Sequence, residues 1–270
     1  MKQKFKFFVT TASVVSVCWL LVPSLGAAER PTPLPDVEAL VGLFDTVVFG
    51  SEFGGVKASG KVKKWRGPLR IEIEEFGETV TTSPDGRENR RLKQQRVKRL
   101  HFEYVQKHLQ SLINLTGLQT EDVKVSKKPA NFAIYFVPPL QMANPYLANV
   151  SRGLMKRMAA QGGCYFLSWA NDKSDEIQKA TIVVNAARKM PKIDHCILEE
   201  MTQSLGMPND ADIEWPSIFS NTERIRALSA ADRIIIKTLY DRRLAQGLPR
   251  QQALEMARTI ITELHGKPSD

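Results

Sequence analysis

The chain has 270 residues, a formal net charge of +9 and a hydrophobic fraction of 43%. A chain of this length can bury a hydrophobic core of its own, and it suffices for one domain or two small ones. The sequence contains no internal repeat and no low-complexity tract, which excludes a repeat array.

The first 28 residues have the three parts of a secretory signal peptide. A start with three lysines precedes an apolar run over residues 7–22, and small residues lead to a predicted cleavage after Ala28. An uncleaved membrane anchor is the alternative, although the run is short for a membrane span. Cys18 lies inside this run and no cysteine follows it at the cleavage site, which excludes a lipoprotein.

Removal of residues 1–28 lowers the charge from +9 to +6, because the segment holds three lysines and no acidic residue. Two cysteines then remain, Cys164 and Cys196, and an even pair in an exported protein predicts one disulfide. Residues 29–60 are predicted as an extended lead-in with a first helix from Val37 to Phe44, followed by a glycine-rich loop. Residues 61–270 are predicted as the folded domain.

Alternating or continuous apolar runs predict four strands in this domain. They cover residues 69–76, 133–137, 164–169 and 179–185. A turn is predicted at residues 84–86, where a proline sets φ and Gly86 permits a positive φ.

Helical spacing of apolar residues predicts the helices of the domain. They cover residues 90–117, 144–160, 195–205, 230–240 and 249–264. The first of them starts with a basic stretch. An exported protein rarely meets nucleic acid, so we interpret this stretch as a solvated helix face, with an anionic envelope surface as a weak alternative partner. We expect membrane contact only through the signal peptide.

The helix over residues 195–205 combines a core stripe with a polar face. Gly206 suits a left-handed helix end and Pro208 prevents its resumption. His195, Glu199 and Gln203 lie four residues apart and share one face of the helix, with Glu200 beside them.

This spacing resembles the zincin helix, H-E-x-x-H-x-x-G-x-x-H, in which the histidines bind zinc and the glutamate is the general base. Glu200 and Gly206 fall on the glutamate and the glycine of that pattern. Glu199, Gln203 and Asn209 occupy the three histidine positions.

The mature chain as a whole resembles a bacterial secreted family known as domain of unknown function 2927, which is grouped with zincin-like peptidases. The stretches that carry the resemblance are residues 65–68, 163–164, 195–203, 228–232 and 239–241. The resemblance implies an α+β, zincin-like single domain. Its mixed twisted sheet would be accompanied by a long N-terminal helix, an active-site helix and C-terminal helices.

Under this resemblance Glu200 is the candidate catalytic residue. The candidates that line the site are His195, Glu199, Gln203, Asn209 and Asp210. In the same comparison, Phe219 would replace the methionine turn of metzincins as an apolar floor. Ser229 and Asp232 are predicted to form an imperfect capping box at the following helix.

The metal content of such a site is open from sequence. Zinc favours imidazole and thiolate, whereas Glu199, Gln203, Asn209 and Asp210 offer oxygens that suit a hard cation such as calcium. His195, Glu199 and Gln203 are the candidate metal ligands, and a buried hydrogen-bond network without metal is the alternative. We expect no tightly bound zinc and identify no cofactor.

These residues predict an exported, periplasmic or secreted protein that is either a divergent metallopeptidase-like hydrolase or an inactive relative. The alternative is a non-catalytic module that binds a peptide or an envelope polymer. A thiol protease built on Cys196 and His195 is disfavoured, because adjacent helix residues point about 100° apart.

Overall fold

The computed structural model describes residues 33–50, 59–160, 163–222 and 224–267, which belong to one compact unit. The predicted signal peptide lies outside the described residues. One five-stranded sheet has the order β2-β1-β3-β5-β4. Its strands are β1 (Ile71–Thr82), β2 (Glu88–Gln95), β3 (Phe132–Val137), β4 (Cys164–Ala170) and β5 (Ile177–Asn185).

The three inner strands run parallel, since β3 pairs in parallel with both β1 and β5. The edge strands β2 and β4 run antiparallel to their neighbours. The helices of the described residues are α1 (Val37–Phe49), α2 (Arg99–Thr116), α3 (Val123–Ser126), α4 (Arg152–Ala160), α5 (Met190–Gln203), α6 (Ala230–Tyr240) and α7 (Arg250–His265). This mixed sheet with accompanying helices confirms the predicted α+β class.

The prediction of a helix from Arg90 is wrong, because residues 88–95 form strand β2. The turn at Gly86, which has a φ of +78°, reverses the chain so that β2 pairs with β1. The guanidinium of Arg90 lies 3.0 Å from the carboxylate of Glu78 on β1. Helix α2 therefore begins at Arg99, where buried Glu75 accepts a 2.8 Å hydrogen bond from the Lys98 amide.

Helix α4 begins at Arg152 rather than at the predicted residue 144. Asn144 precedes a proline, which disfavours a helical conformation at the asparagine. Its side chain instead accepts a 3.0 Å hydrogen bond from the Tyr146 amide, as in an Asx turn.

The two faces of the sheet carry separate apolar clusters. The larger cluster joins one face to buried residues of α1, α2, α5, α6 and α7. The smaller cluster packs Met155 and Met158 of α4 against Phe76, Val137 and Val183 on the other face. Within the described residues, no helix is both long and apolar enough to span a bilayer.

The end of α5 is fixed by side chains from distant parts of the chain. The indole of Trp65 donates to the Ser204 carbonyl at 3.0 Å, and the Tyr240 hydroxyl donates to the Leu205 carbonyl at 2.8 Å. Gly206 has a φ of +116°, and a Cβ there would collide with the Lys63 carbonyl oxygen. The predicted glycine end of this helix is confirmed, and residues 63–65 are held against it.

Candidate functional site

The predicted disulfide joins Cys164 to Cys196, with their Cα atoms 6.0 Å apart. Cys164 is the first residue of β4 and Cys196 lies in α5. The bridge therefore ties an edge strand of the sheet to the helix that carries the zincin-like pattern.

Arg188 lies over this disulfide. Its guanidinium donates to the Cys196 sulfur at 2.8 Å, and a Cβ at Gly163 would collide with it. Burial lowers the pKa of Arg188 from its ordinary value, while the negative charges of Glu199 and Glu200 oppose that shift. The positive charge of half-buried Arg188 thus interacts with both glutamates of α5.

His195 and Glu199 form a close pair on α5. Nδ1 of His195 lies 2.7 Å from the Ile225 carbonyl oxygen and donates to it in the tautomer that suits this contact. Nε2 of His195 lies 3.2 Å from a Glu199 oxygen, without the alignment of a hydrogen bond.

The other two residues that align with zincin histidines, Gln203 and Asn209, form hydrogen bonds within the protein. The Gln203 amide donates to Asp210 at 2.6 Å. The Asn209 amide donates to the Thr46 carbonyl at 3.1 Å and to the Asp210 carbonyl at 2.9 Å. The structure therefore brings Gln203, Asn209 and Asp210 together in one hydrogen-bonded group.

This donor set does not fit zinc. At the positions of the zincin ligands it offers a carboxylate beside a histidine and two amides, and the amides already donate within the protein. The sulfurs of Cys164 and Cys196 lie within 4.8 Å of a Glu199 oxygen, but both sulfurs belong to the disulfide and are not thiolate ligands.

Glu200 is buried, with 5% of its surface exposed. A buried carboxylate requires compensation, and the positive charge of Arg188 supplies part of it. On α5, Glu200 lies about one turn after Cys196 and three residues before Gln203.

The turn predicted as an apolar floor is fixed by Asp232 of α6. Its fully buried carboxylate accepts from the Ser217 hydroxyl at 2.5 Å, the Ile218 amide at 3.1 Å and the Ser229 amide at 2.8 Å. Burial raises the pKa of Asp232, and these hydrogen bonds oppose the rise. The Ser229–Asp232 capping box is confirmed, and Phe219 is fully buried.

A cleft of about 330 Å³ extends along β4 to the end of α5. Apolar residues of α1, α4 and β4 form much of its wall, including Val48, Leu154, Met158, Phe166 and Trp169. Polar groups come from Ser59, Lys63, Ser168 and Gln203. Gln203 is thus a predicted site residue that lines the cleft.

The hydrogen-bond pattern of β4 determines which backbone groups face the cleft. The Asn185 amide donates to the Gly163 carbonyl at 2.8 Å, so Gly163 faces β5. Since bonded and non-bonded pairs alternate in an antiparallel ladder, Tyr165 and Leu167 also face β5. Phe166 and Ser168 therefore direct their N–H and C=O groups to the outer edge, where both residues line the cleft.

Sequence reasoning missed two charged residues of this region. Arg188 precedes α5, and its guanidinium lies against Gly163 only in the folded chain. The sequence alone therefore gave no signal for this contact. Lys63 lies in a basic run that gave no sign of a cleft.

A family model described as a protein of unknown function (DUF2927) matches residues 38–259. No curated protein and no solved structure is significantly similar to the chain.

Proposed function

The chain belongs to this family of proteins of unknown function, and we propose that it is an exported, zincin-like protein that binds a peptide segment in the cleft beside β4. The observation that carries the proposal is the outer edge of β4, whose Phe166 and Ser168 backbone groups face an apolar cleft. An extended peptide can pair with such an edge, and its side chains can occupy the adjoining cavity.

Among the described residues, β4 pairs with β5 on one side and no further strand pairs with its other edge. Exposed edges are normally protected by charged residues or proline. The stretch from Cys164 to Ala170 contains neither, and it is rich in aromatic and aliphatic residues. This composition supports an edge that accepts a partner chain.

The contacts of Glu199, Gln203 and Asn209, which align with the zincin ligands, favour peptide binding over metal chemistry. Glu199 lies beside His195, while Gln203 and Asn209 donate to Asp210 and to backbone carbonyls. The two amides need no ion to satisfy them, and Gln203 lines the cleft. A disulfide between β4 and α5 is compatible with export.

The test compares two substitutions at one edge position. Ser168→Pro removes an outward N–H without removing a bond to β5, and an edge strand tolerates proline on that side. Ser168→Ala keeps the N–H and is the matched control. The probe is fluorescein-labelled, reduced and carboxymethylated α-lactalbumin, a generic unfolded polypeptide, with binding followed by fluorescence polarisation.

We expect wild-type protein and Ser168→Ala to bind the probe with similar affinity, and Ser168→Pro to bind about tenfold more weakly, as the loss of a hydrogen bond suggests. Thermal unfolding of the three proteins verifies that they fold. Equal binding by Ser168→Pro, or no binding by wild-type protein, would overturn the proposal.

A second candidate function is hydrolysis of the bound peptide with Glu200 as the acid or base. The observation that favours it is a buried carboxylate at the general-base position, within the field of Arg188. Cleavage of the same probe, followed by electrophoresis with and without a chelator, distinguishes this activity from binding alone.

A further inference from the structure

We infer that the cleft selects the carboxyl terminus of a peptide whose last residues are apolar, and that Lys63 pairs with its terminal carboxylate. The inference rests on the proposed peptide-binding function and names the class of ligand.

The first support is the charge of the cleft wall. Among the described residues that line the cleft, Lys63 is the one that carries a formal charge. Its ammonium group makes no hydrogen bond or ion pair with the described part of the chain, whereas the neighbouring Lys61 lies 3.8 Å from Asp175. A lysine in an otherwise uncharged, largely apolar lining favours a ligand that brings an anion.

The second support is the rigidity of the segment that carries Lys63. The ammonium of Lys64 donates to the carbonyls of Leu239 at 2.8 Å and Leu244 at 2.5 Å. Trp65 donates to Ser204, and the Lys63 carbonyl lies against Gly206. The backbone of Lys63 is therefore fixed relative to the cleft, which lowers the entropic cost of holding a ligand charge there.

The third support is the place of Lys63 along β4. Lys63 lines the cleft together with Trp169 and Ala170, the last two residues of β4. Lys63 thus lies near the carboxyl end of that strand. A peptide that pairs in parallel with β4 would end near Lys63 with its own carboxyl terminus.

The size of the cleft agrees with a chain end. A volume of about 330 Å³ is at the lower end of the range of ligand pockets, roughly 300–1,000 Å³. It accommodates a few apolar side chains and not a long segment. We therefore assign the apolar wall to the last side chains of the ligand and Lys63 to its carboxylate.

The experiment uses three hexapeptides labelled with fluorescein at the amino end. The first is Ala-Ala-Val-Ala-Leu-Phe with a free carboxylate, and the second is its carboxamide. The third is a carboxamide with glutamate in place of valine. The proteins are wild type, Lys63→Met, Lys63→Arg and the matched control Lys61→Met, which removes an exposed lysine two residues away.

We expect wild-type protein to bind the free acid at least tenfold more tightly than the carboxamide. Lys63→Met should remove this difference, whereas Lys63→Arg and Lys61→Met should keep it. The ratio of the two affinities, unlike either affinity alone, does not change through a general loss of folding.

Equal affinity for the free acid and its carboxamide in wild-type protein would overturn the inference, while Ser168-dependent binding of the unfolded probe would leave the proposed function standing. Tight, Lys63-dependent binding of the glutamate carboxamide would overturn the assignment to a chain end in favour of an acidic side chain. Failure of every peptide and of the unfolded probe to bind would overturn both.

Discussion

The side-chain amide of Gln203 donates a 2.6 Å hydrogen bond to the carboxylate of Asp210, at the place where a zincin helix would present its second histidine. A glutamine in this arrangement directs its N–H toward an acceptor of the protein, and its remaining amide oxygen is a poor zinc ligand. The site is therefore built as a hydrogen-bonded group.

We expect no stoichiometric zinc in the purified mature protein, because amides occupy two of the three positions that align with zincin histidines. Elemental analysis after dialysis is the measurement, with a zinc-loaded zincin treated in parallel. One equivalent of zinc that survives dialysis would contradict the prediction, and His195 and Glu199 would then be the first ligands to replace.

The Cys164–Cys196 disulfide is expected to stabilise the fold substantially. It joins two residues with a sequence separation of 32. For a loop of that length the chain-entropy model suggests a stabilisation of roughly 3–4 kcal/mol. Urea unfolding of wild-type protein and of a Cys164→Ser/Cys196→Ser variant measures the difference. Counting of thiols in denatured, unreduced protein is the control, and two reactive thiols would show that the bridge does not form.

The parts of the fold that the sequence predicted have local or compositional causes. The capping box at Ser229, the glycine end at Gly206 and the cysteine pair each follow from residues whose chemistry leaves few alternatives. Gln203, a candidate site residue in the zincin comparison, is the last residue of α5 and lines the cleft, and its role stays a prediction.

The parts that it missed depend on pairing between distant residues. Strand β2 resembles a helix start in composition, and it becomes a strand because the turn at Gly86 places it beside β1. Lys63 and Arg188 gain their positions from contacts with Gly206 and Gly163, which no local pattern shows. Tertiary pairing, and not propensity, decided these cases.

Asp232→Asn should destabilise the protein by about 2–3 kcal/mol. Both carboxylate oxygens accept hydrogen bonds: Oδ1 accepts from the Ser217 hydroxyl, and Oδ2 accepts from the Ile218 and Ser229 amides. An asparagine keeps one acceptor oxygen, and its NH2 group opposes either the two backbone N–H groups or the Ser217 hydroxyl, so at least one buried donor loses its acceptor. Urea unfolding measures the loss, with Ser229→Gly as a milder capping control. An unchanged midpoint would contradict the role of this carboxylate.

Acid should destabilise the fold through two buried histidines of α2. Burial lowers the pKa of His101 and of His108, although Glu75 and Asp194 oppose the shift. The unfolded chain therefore binds protons first as the pH falls through about 6.5. The stability present above that pH is lost progressively as the pH falls toward the pKa values of these two histidines in the folded state.

His101→Gln tests this pH dependence. Its ring lies 3.0 Å from Glu75 and stacks on Phe136, with ring centroids 4.3 Å apart. We expect the variant to lose less stability than wild-type protein between pH 7 and pH 5, measured by urea unfolding. His265→Gln replaces a partly exposed histidine and is the matched control. An acid dependence unchanged in His101→Gln would contradict the assignment.

Glu200, and not Glu199, is the residue on which we expect any hydrolytic activity to depend. In a zincin the glutamate at this position takes a proton from the attacking water, whereas the position of Glu199 belongs to a metal ligand.

Glu200→Gln keeps the shape of the side chain and removes its charge. A catalytic role predicts a loss of probe cleavage on the order of a hundredfold with little change in melting temperature. A structural role predicts the reverse, because burial of Glu200 near Arg188 would then serve stability. Glu199→Gln is the matched substitution on the next residue of the same helix. If Glu199→Gln abolishes cleavage while Glu200→Gln is neutral in both assays, the alignment of the helix with the zincin pattern is displaced by one residue.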